Sequence, residues 1–226
     1  MMAVVALTTG AQVPLTDVEF RADLLSRKAL YEGHVWNLVQ DRVDLGEAGV
    51  VTRDLLDHPG AVGIIALDDD GRVLVLQQYR HAVGRKLWEV PAGLMDHAGE
   101  DPLAAAQREL AEEADLVAGS WHVLSDFYTS PGGSTEPLRV FLARDLAPIP
   151  EHDRYERGEE ELDMPTGWVP LDDLVAAVLA AEVHNPTLVV GALAAFASRA
   201  GGWSSLRPGD VPWPEQIKRR LIEDAD

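Results

Sequence analysis

Three glutamates close together on a predicted helix are the residues of this sequence best suited to chemistry. Glu109, Glu112 and Glu113 occupy positions i, i+3 and i+4, and on a helix this spacing brings their carboxylates to one face. Because like charges at this spacing repel each other, a compensating cation is expected. Mg²⁺ prefers oxygen ligands and is usually held by a few carboxylates together with substrate phosphates. The spacing therefore indicates a magnesium site that handles a phosphate or a diphosphate.

The elements that must position these glutamates can be outlined from the surrounding residues. Asp101 is a suitable N-cap and Pro102 a suitable first residue for the helix. The apolar runs 61–67 and 72–80, separated by a short Asp/Gly turn, predict a β-hairpin. Further strands are expected at 86–90, 122–128 and 138–143, and helices at 171–182 and 186–199. Strands followed by mixed helices and strands favour an α+β fold with helices packed on a sheet.

The first part of the chain is predicted to be β-rich. Residues 17–57 contain three strand-like stretches, 26–31, 34–45 and 49–57, with few helical signals. A piece of this size is too small to bury a core alone. It should therefore pack against the rest of the chain or against a second subunit.

Charge and composition exclude several classes of protein. Acidic residues number 38 against 19 basic ones, a formal net charge of −19, and such a field repels nucleic acid and anionic membranes. No apolar run approaches the ~18 residues of a membrane helix, and the N-terminus lacks the basic region of a signal peptide. Cysteine is absent, which excludes disulfides and thiolate metal sites and fits a reducing compartment. We predict a cytoplasmic protein with neither a nucleic-acid nor a membrane partner.

The wider motif resembles the signature of the Nudix hydrolases. Its positions are occupied by Gly93, Glu100, Arg108, Glu109, Leu110, Glu112, Glu113 and Leu116. Two departures occur. Six residues rather than five separate Gly93 from Glu100, and Asp115 stands where the signature has glycine. An extra loop residue costs little, whereas a non-glycine residue adopts the left-handed conformation at a helix end less readily. Neither departure removes a carboxylate.

Other stretches resemble the ADP-ribose pyrophosphatases within that family. They are Gln78–Arg80, Leu87–Gly93 and a proline, Pro131, about fifteen residues beyond the motif. The resemblance implies a Nudix-type α/β/α sandwich with a mixed sheet, plus an N-terminal antiparallel β-sheet subdomain exchanged within a homodimer. The implied layout is an N-terminal dimerisation and substrate-contact subdomain at 1–57, a catalytic domain at 58–200 and an irregular tail at 201–226.

The resemblance also implies the roles of individual residues. The ion, Mg²⁺ or alternatively Mn²⁺, would be held by Glu109, Glu112, Glu113 and the carbonyl of Ala92. The residues that shape the motif would be Gly93, Glu100 and Arg108. The catalytic residues would be Glu113 and a glutamate of the loop 159–161, Glu161 being preferred to Glu160. Substrate contacts would come from Arg53, Arg80, Glu89 and Glu136, the last at the terminal ribose.

The implied activity is hydrolysis of ADP-ribose to AMP and ribose 5-phosphate. Two alternatives stay open at this point, namely cleavage of another nucleoside diphosphate sugar and a sensor that binds ADP-ribose without cleaving it. Simpler interpretations of single features also exist. Acidic stretches such as 159–161 are often solvated loops, and Arg53 or Arg80 could be ordinary surface residues.

Overall fold

The computed structural model describes residues 15–97, 99–155, 164–214 and 216. These residues form three β-sheets and three α-helices. In chain order the elements are β1 (Asp23–Glu32), β2 (Asn37–Asp44), β3 (Val50–Asp57), β4 (Ala61–Ala66), β5 (Arg72–Arg80), β6 (Arg85–Glu89), β7 (Ala92–Leu94), α1 (Pro102–Ala114), β8 (Leu116–Tyr128), β9 (Pro137–Pro148), β10 (Thr166–Pro170), α2 (Leu171–Leu179), α3 (Pro186–Ala200) and β11 (Arg207–Pro208). No helix within the described ranges has the length and apolar character needed to cross a membrane.

The central sheet is mixed and lies between helices. Its strand order is β11-β8-β9-β4-β7, with β4 and β9 parallel and the other pairs antiparallel. Every residue of β4 is buried. Val62 and Ile64 pack in the core that includes α1, whereas Ala61 and Ile65 pack in the core that includes α2 and α3. The two faces of one strand therefore serve two helical layers, and the predicted α+β fold with a mixed sheet is confirmed.

The predicted hairpin between the two apolar runs is wrong. The turn itself forms, because Asp68 N donates to Arg72 O (3.0 Å), but only a single bridge, Leu67 to Val73, follows it. The strands then separate, and β5 pairs with β6 and β10 in its own antiparallel sheet. The residues that flank the turn, 61–67 and 73–76, are continuous apolar runs with no polar face that would select a partner, so their pairing is decided by the rest of the core.

The N-terminal strands form the expected antiparallel sheet in the order β1-β2-β3. Arg27 of β1 and Asp41 of β2 make a two-pronged ion pair across it (2.7 Å for each contact). The end of β3 is joined to the loop before β9, because Leu56 N donates to Gly133 O and Thr135 N donates to Leu56 O (both 2.9 Å). Substantial apolar surface of this sheet is exposed, including Leu24, Leu25, Leu30, Tyr31 and Val50.

The described part of the tail after α3, residues 201–214 and 216, contributes to the core although little of it is regular secondary structure. β11 pairs with β8, and Trp213 is buried among residues of the α1 core. Arg139 of β9 fixes this segment, since its guanidinium donates to the carbonyls of Val211 (2.7 Å) and Pro212 (3.2 Å) while pairing with Asp126. The tail is thereby tied to the sheet beneath the carboxylate helix.

Candidate active site

The helix that carries the acidic residues begins and ends as its sequence requires. The Asp101 side chain accepts a hydrogen bond from Leu103 N (2.9 Å), which confirms the predicted N-cap. Asp115 ends the helix in the left-handed conformation (φ 54°, ψ 36°). Its N–H donates to Ala111 O (3.1 Å), and its carbonyl accepts from Ile149 N (2.8 Å). These bonds hold at Asp115 the backbone geometry that glycine would adopt more easily.

Arg108 is the first compensating charge for the acidic helix face. Its Nε and Nη2 donate to the two oxygens of Glu100 (2.9 and 3.0 Å). Its Nη1 donates to Glu109 Oε1 (2.6 Å) and Glu112 Oε2 (3.2 Å). The hydrogen bonds from Arg108 lower the pKa of Glu100, and the same bonds raise the pKa of Arg108. One arginine therefore ties the loop before α1 to two of the three glutamates.

Glu109 is a partly buried carboxylate of the helix face. Burial raises its pKa, and although the charge and hydrogen bond of Arg108 oppose that rise, the negative charges of Glu112 and Asp96 add to it. The net shift is upward, so this environment disfavours the ionised form. A carboxylate in such a position is one that an added cation would stabilise.

Glu113 extends from the helix to strand β7. It is buried, with 8% of its surface exposed, and its Oε2 accepts a hydrogen bond from Ala92 N (2.9 Å). The next strand residue, Gly93, lies against the Glu109 side chain, and a Cβ at that position would overlap the Glu109 carboxylate. The structure thus brings Ala92, Gly93, Glu109 and Glu113 together at one contact between strand and helix.

The donor set at this contact suits a hard divalent cation. Carboxylate oxygens are the ligands that such ions prefer, and burial raises the pKa of Glu109, so that its ionised form would be stabilised by a cation. Across the described residues, no three Asp, Glu or His side chains converge in an ion-binding arrangement. Instead, Glu109 and Glu112 hydrogen-bond to Arg108, and Glu113 to the backbone.

Two of the predicted substrate residues form an ion pair with each other. Arg80 Nε and Nη2 donate to Glu89 Oε1 (2.9 Å) and Oε2 (2.6 Å) across the β5–β6 pair. Glu89 is 2% exposed, whereas the Arg80 side chain is 45% exposed. The buried partner therefore fixes the plane of a guanidinium that reaches solvent.

Of the other predicted site residues, Arg53 and Glu136 make contacts of their own, and two are not among the described residues. Arg53 sits on the exposed part of β3, where its Nη1 donates to Thr52 O (3.0 Å). Glu136, just before β9, accepts from Thr129 Oγ1 at Oε2 (2.6 Å), and its N–H donates to Ser134 Oγ (3.2 Å). The two candidate loop glutamates, Glu160 and Glu161, lie outside the described residues.

Two residues near these groups were not predicted from the sequence. His58 Nε2 lies 3.8 Å from Glu136 Oε1, and Asp96 is close enough to raise the pKa of Glu109. For His58 the available signal was the His58–Gly60 turn, a polar residue before Pro-Gly between two strands. For Asp96 the signal was its position in the loop that feeds the acidic helix. Neither signal identifies the partner, which is distant along the chain.

Comparison with known proteins decides the family. A family model described as the NUDIX domain matches residues 57–188. The chain belongs to the NUDIX family. This NUDIX chain is 42% identical over 191 residues to an ADP-ribose pyrophosphatase of Mycobacterium tuberculosis, covering 84% of this chain and 90% of that protein. It is 33% identical over 161 residues to an ADP-ribose pyrophosphatase of Bacillus subtilis, covering 71% and 85%.

A solved structure shares the fold of this chain. The crystal structure of an ADP compounds hydrolase superposes with a TM-score of 0.64, covering 83% of this chain and 98% of that one at 19% identity. At that identity the likeness concerns the fold alone. The family resemblance inferred from the signature residues is confirmed.

Proposed function

We propose that this NUDIX protein hydrolyses the diphosphate of ADP-ribose to AMP and ribose 5-phosphate in a reaction that depends on a divalent metal ion. The observation that carries the proposal is the contact between α1 and β7, where Glu109 and Glu113 meet Ala92 and Gly93. The relatives that match most of the chain at 42% and 33% identity act, by their names, on ADP-ribose.

The chemistry required is attack of water on a diphosphate, which concentrates negative charge on the phosphate oxygens. A bound divalent ion, Mg²⁺ or alternatively Mn²⁺, would neutralise that charge and lower the pKa of a bound water. Glu109, Glu112, Glu113 and the carbonyl of Ala92 would hold it. Intact carboxylates at all three positions favour an enzyme over a sensor that only binds nucleotide.

The other residues would bind the substrate, orient the groups that bind it, or accept a proton. Arg80, oriented by the buried Glu89 carboxylate, would face a phosphate with its planar guanidinium. Glu136 would contact the terminal ribose. Glu161, or Glu160 next to it, would accept the proton of the attacking water. Arg108 and Glu100 would hold α1 and the preceding loop in a fixed relative position.

The activity is tested with a panel of nucleoside diphosphate sugars and Mg²⁺, with EDTA as the control and chromatography to identify products. AMP and ribose 5-phosphate should form fastest from ADP-ribose, and EDTA should abolish turnover. If another sugar nucleotide releases its nucleoside monophosphate faster, that compound is the substrate and not ADP-ribose. Binding without turnover at excess Mg²⁺ or Mn²⁺ would instead identify a sensor.

We also propose a homodimer in which residues 1–57 act as a dimerisation and substrate-contact subdomain beside the catalytic domain. The apolar side chains exposed on the N-terminal sheet support an interface there. Light scattering at micromolar concentration should give twice the monomer mass. The cysteine-free sequence fits a reducing environment, and we place the enzyme in the cytoplasm.

Exchange of the N-terminal sheet is tested by complementation. If Arg53 serves the partner's site, Arg53→Ala and Glu113→Gln homodimers are both impaired, but a mixed dimer contains one site with both residues intact. When the two variant homodimers are mixed and allowed to exchange subunits, activity should then be restored. If Arg53 serves its own chain, mixed dimers contain no intact site and activity stays low.

A further inference from the structure

A turn between β3 and β4 connects three parts of the molecule that are distant in sequence. His58 N donates to Thr135 Oγ1 (2.9 Å), which lies in the loop before β9. Gly60 O accepts from Met95 N (3.0 Å), just beyond β7. Gly60 has a positive φ of 88° and packs against Pro137, so a side chain there would be strained and crowded. The turn is therefore held in place from both sides.

The hydrogen bonds of the turn select the tautomer of the His58 ring. Gly60 N donates to His58 Nδ1 (3.1 Å), so Nδ1 must present a lone pair and the neutral ring carries its proton on Nε2. That nitrogen lies 3.8 Å from Glu136 Oε1, and 12% of the His58 side chain is exposed. At this separation the N–H is too far away for a direct hydrogen bond. The His58 ring instead acts on Glu136 through the dipole of its Nε2–H group and by occupying the space beside the carboxylate.

Glu136 is thus bounded on both of its oxygens. Thr129 Oγ1 donates to Oε2 (2.6 Å), and the His58 ring faces Oε1. A carboxylate fixed only by Thr129 could rotate about that single bond. His58 limits this rotation from the other side.

We propose that His58 is a positioning residue that orients the Glu136 carboxylate toward the terminal ribose of the substrate. This role rests on the proposed function, because it takes Glu136 to be the ribose contact. It adds a residue that touches no substrate and acts through its neighbour. By the same hydrogen bonds, His58 links the end of the N-terminal sheet to the ribose end of the site.

Two substitutions distinguish the role of Nδ1, which accepts from Gly60 N, from that of Nε2, which faces Glu136. In His58→Asn the amide oxygen can still accept from Gly60 N, but nothing faces Glu136. In His58→Gln the longer side chain can place an amide N–H near the position of Nε2. For ADP-ribose, His58→Asn should raise KM about 3- to 10-fold, a loss of up to ~1.4 kcal/mol, with kcat changed less than about twofold because the phosphate chemistry is untouched. His58→Gln should recover most of the wild-type KM.

Product inhibition localises the effect. For His58→Asn the inhibition constant of ribose 5-phosphate should rise in parallel with KM, while that of AMP stays at the wild-type value. A general disturbance of the fold would weaken both. In a Glu136→Gln background, His58→Asn should have no additional effect on KM.

The outcomes distinguish this inference from the proposed function. If the wild-type protein does not cleave ADP-ribose, the proposed function fails first. If it does, and His58→Asn leaves both KM and ribose 5-phosphate inhibition unchanged, the positioning role is overturned. A measurement on the unaltered protein guards against misfolded variants. ¹⁵N NMR of the assigned His58 ring should show protonation at Nε2, and protonation at Nδ1 alone would contradict the geometry.

Discussion

Gly93 of β7 and Glu109 of α1 are packed so closely that a methyl group on residue 93 would overlap the Glu109 carboxylate. The backbone beside them is fixed as well, because Ala92 N donates to Glu113. The contact between strand and helix is therefore made by the same groups that are proposed to bind the ion. A change in the packing at Gly93 is a change in the site.

Substitution Gly93→Ala should lower kcat strongly without unfolding the protein. The added methyl group must displace the Glu109 side chain, and we expect a loss on the order of 10²-fold, the size typical of losing one electrostatic contact to the transition state. Steady-state kinetics and circular dichroism measure the two quantities. Gly167→Ala is the matched control, since this strand glycine has open space around its Cβ position. Equal activities of the two variants would show that the contact is unimportant.

Substitution Glu113→Gln should reduce kcat by about 10²-fold or more, whereas the fold should be retained. The amide keeps the size of the side chain and an oxygen that can accept from Ala92 N, but it removes the charge offered to a divalent ion. Isothermal titration with Mg²⁺ should show weakened binding in parallel. Asp173→Asn, an acidic residue in the first turn of α2, serves as the control and should behave as wild type. Near-normal turnover of Glu113→Gln would place the ion elsewhere.

Substitution Glu109→Gln should stabilise the protein in the absence of metal. The folded-state pKa of Glu109 is raised by burial, so the folded state holds this proton more tightly than the unfolded state. Its contribution to stability therefore falls as pH rises from the unfolded value, about 4.3, through the raised folded value. At neutral pH in EDTA the variant should melt at a higher temperature, and the difference should vanish at acidic pH.

The matching control for Glu109 is Glu100. Its pKa is lowered by Arg108, so its contribution to stability is present above the unfolded pKa and is lost as pH falls through the folded one. Glu100→Gln should therefore melt lower than wild type at neutral pH. Added Mg²⁺ should raise the melting temperature of wild type more than that of Glu109→Gln. Melting shifts of the same sign for the two variants would disprove the assignment.

Substitution Arg80→Lys should raise KM about tenfold, because a lysine cannot make the two-pronged contact that orients the guanidinium on Glu89. The variant should also unfold more easily, since the carboxylate of Glu89 is buried and would lose one of its hydrogen bonds. Arg72→Lys at the other end of β5, where the arginine pairs with Asp68 at a surface turn, should leave KM unchanged. A normal KM for Arg80→Lys would remove Arg80 from the substrate contacts.

Substitution Trp213→Ala should lower the free energy of unfolding by about 3 kcal/mol, the cost of removing a large buried side chain. Trp213 is 5% exposed, and its ring centroid lies 5.0 Å from Cζ of the Arg139 guanidinium. Chemical denaturation measures the change. Trp168→Ala, at a position with 38% exposure, should cost much less. Equal losses would mean that the tail does not support the core.

Features carried by neighbouring residues could be predicted from the sequence. The helix start at Asp101 and the gathering of Glu109, Glu112 and Glu113 on one face follow from the helical repeat and from capping chemistry, which operate over a few residues. The three N-terminal strands and the closing helices were located for the same reason. The spacing of the signature residues from Gly93 to Leu116 also indicated the family.

Features that join distant segments were decided only by the tertiary structure. The sequence could not show that β4 and β5 enter different sheets, because the residues that flank the turn between them, 61–67 and 73–76, are continuous apolar runs. It suggested Arg80 and Glu89 as separate substrate contacts, whereas the fold makes them one ion pair. His58 and Glu136 meet only because β3 ends beside the loop before β9. Local patterns fix the chemistry that each segment can offer, but contact between segments depends on which buried surfaces fit together, and that choice is made by the whole core at once.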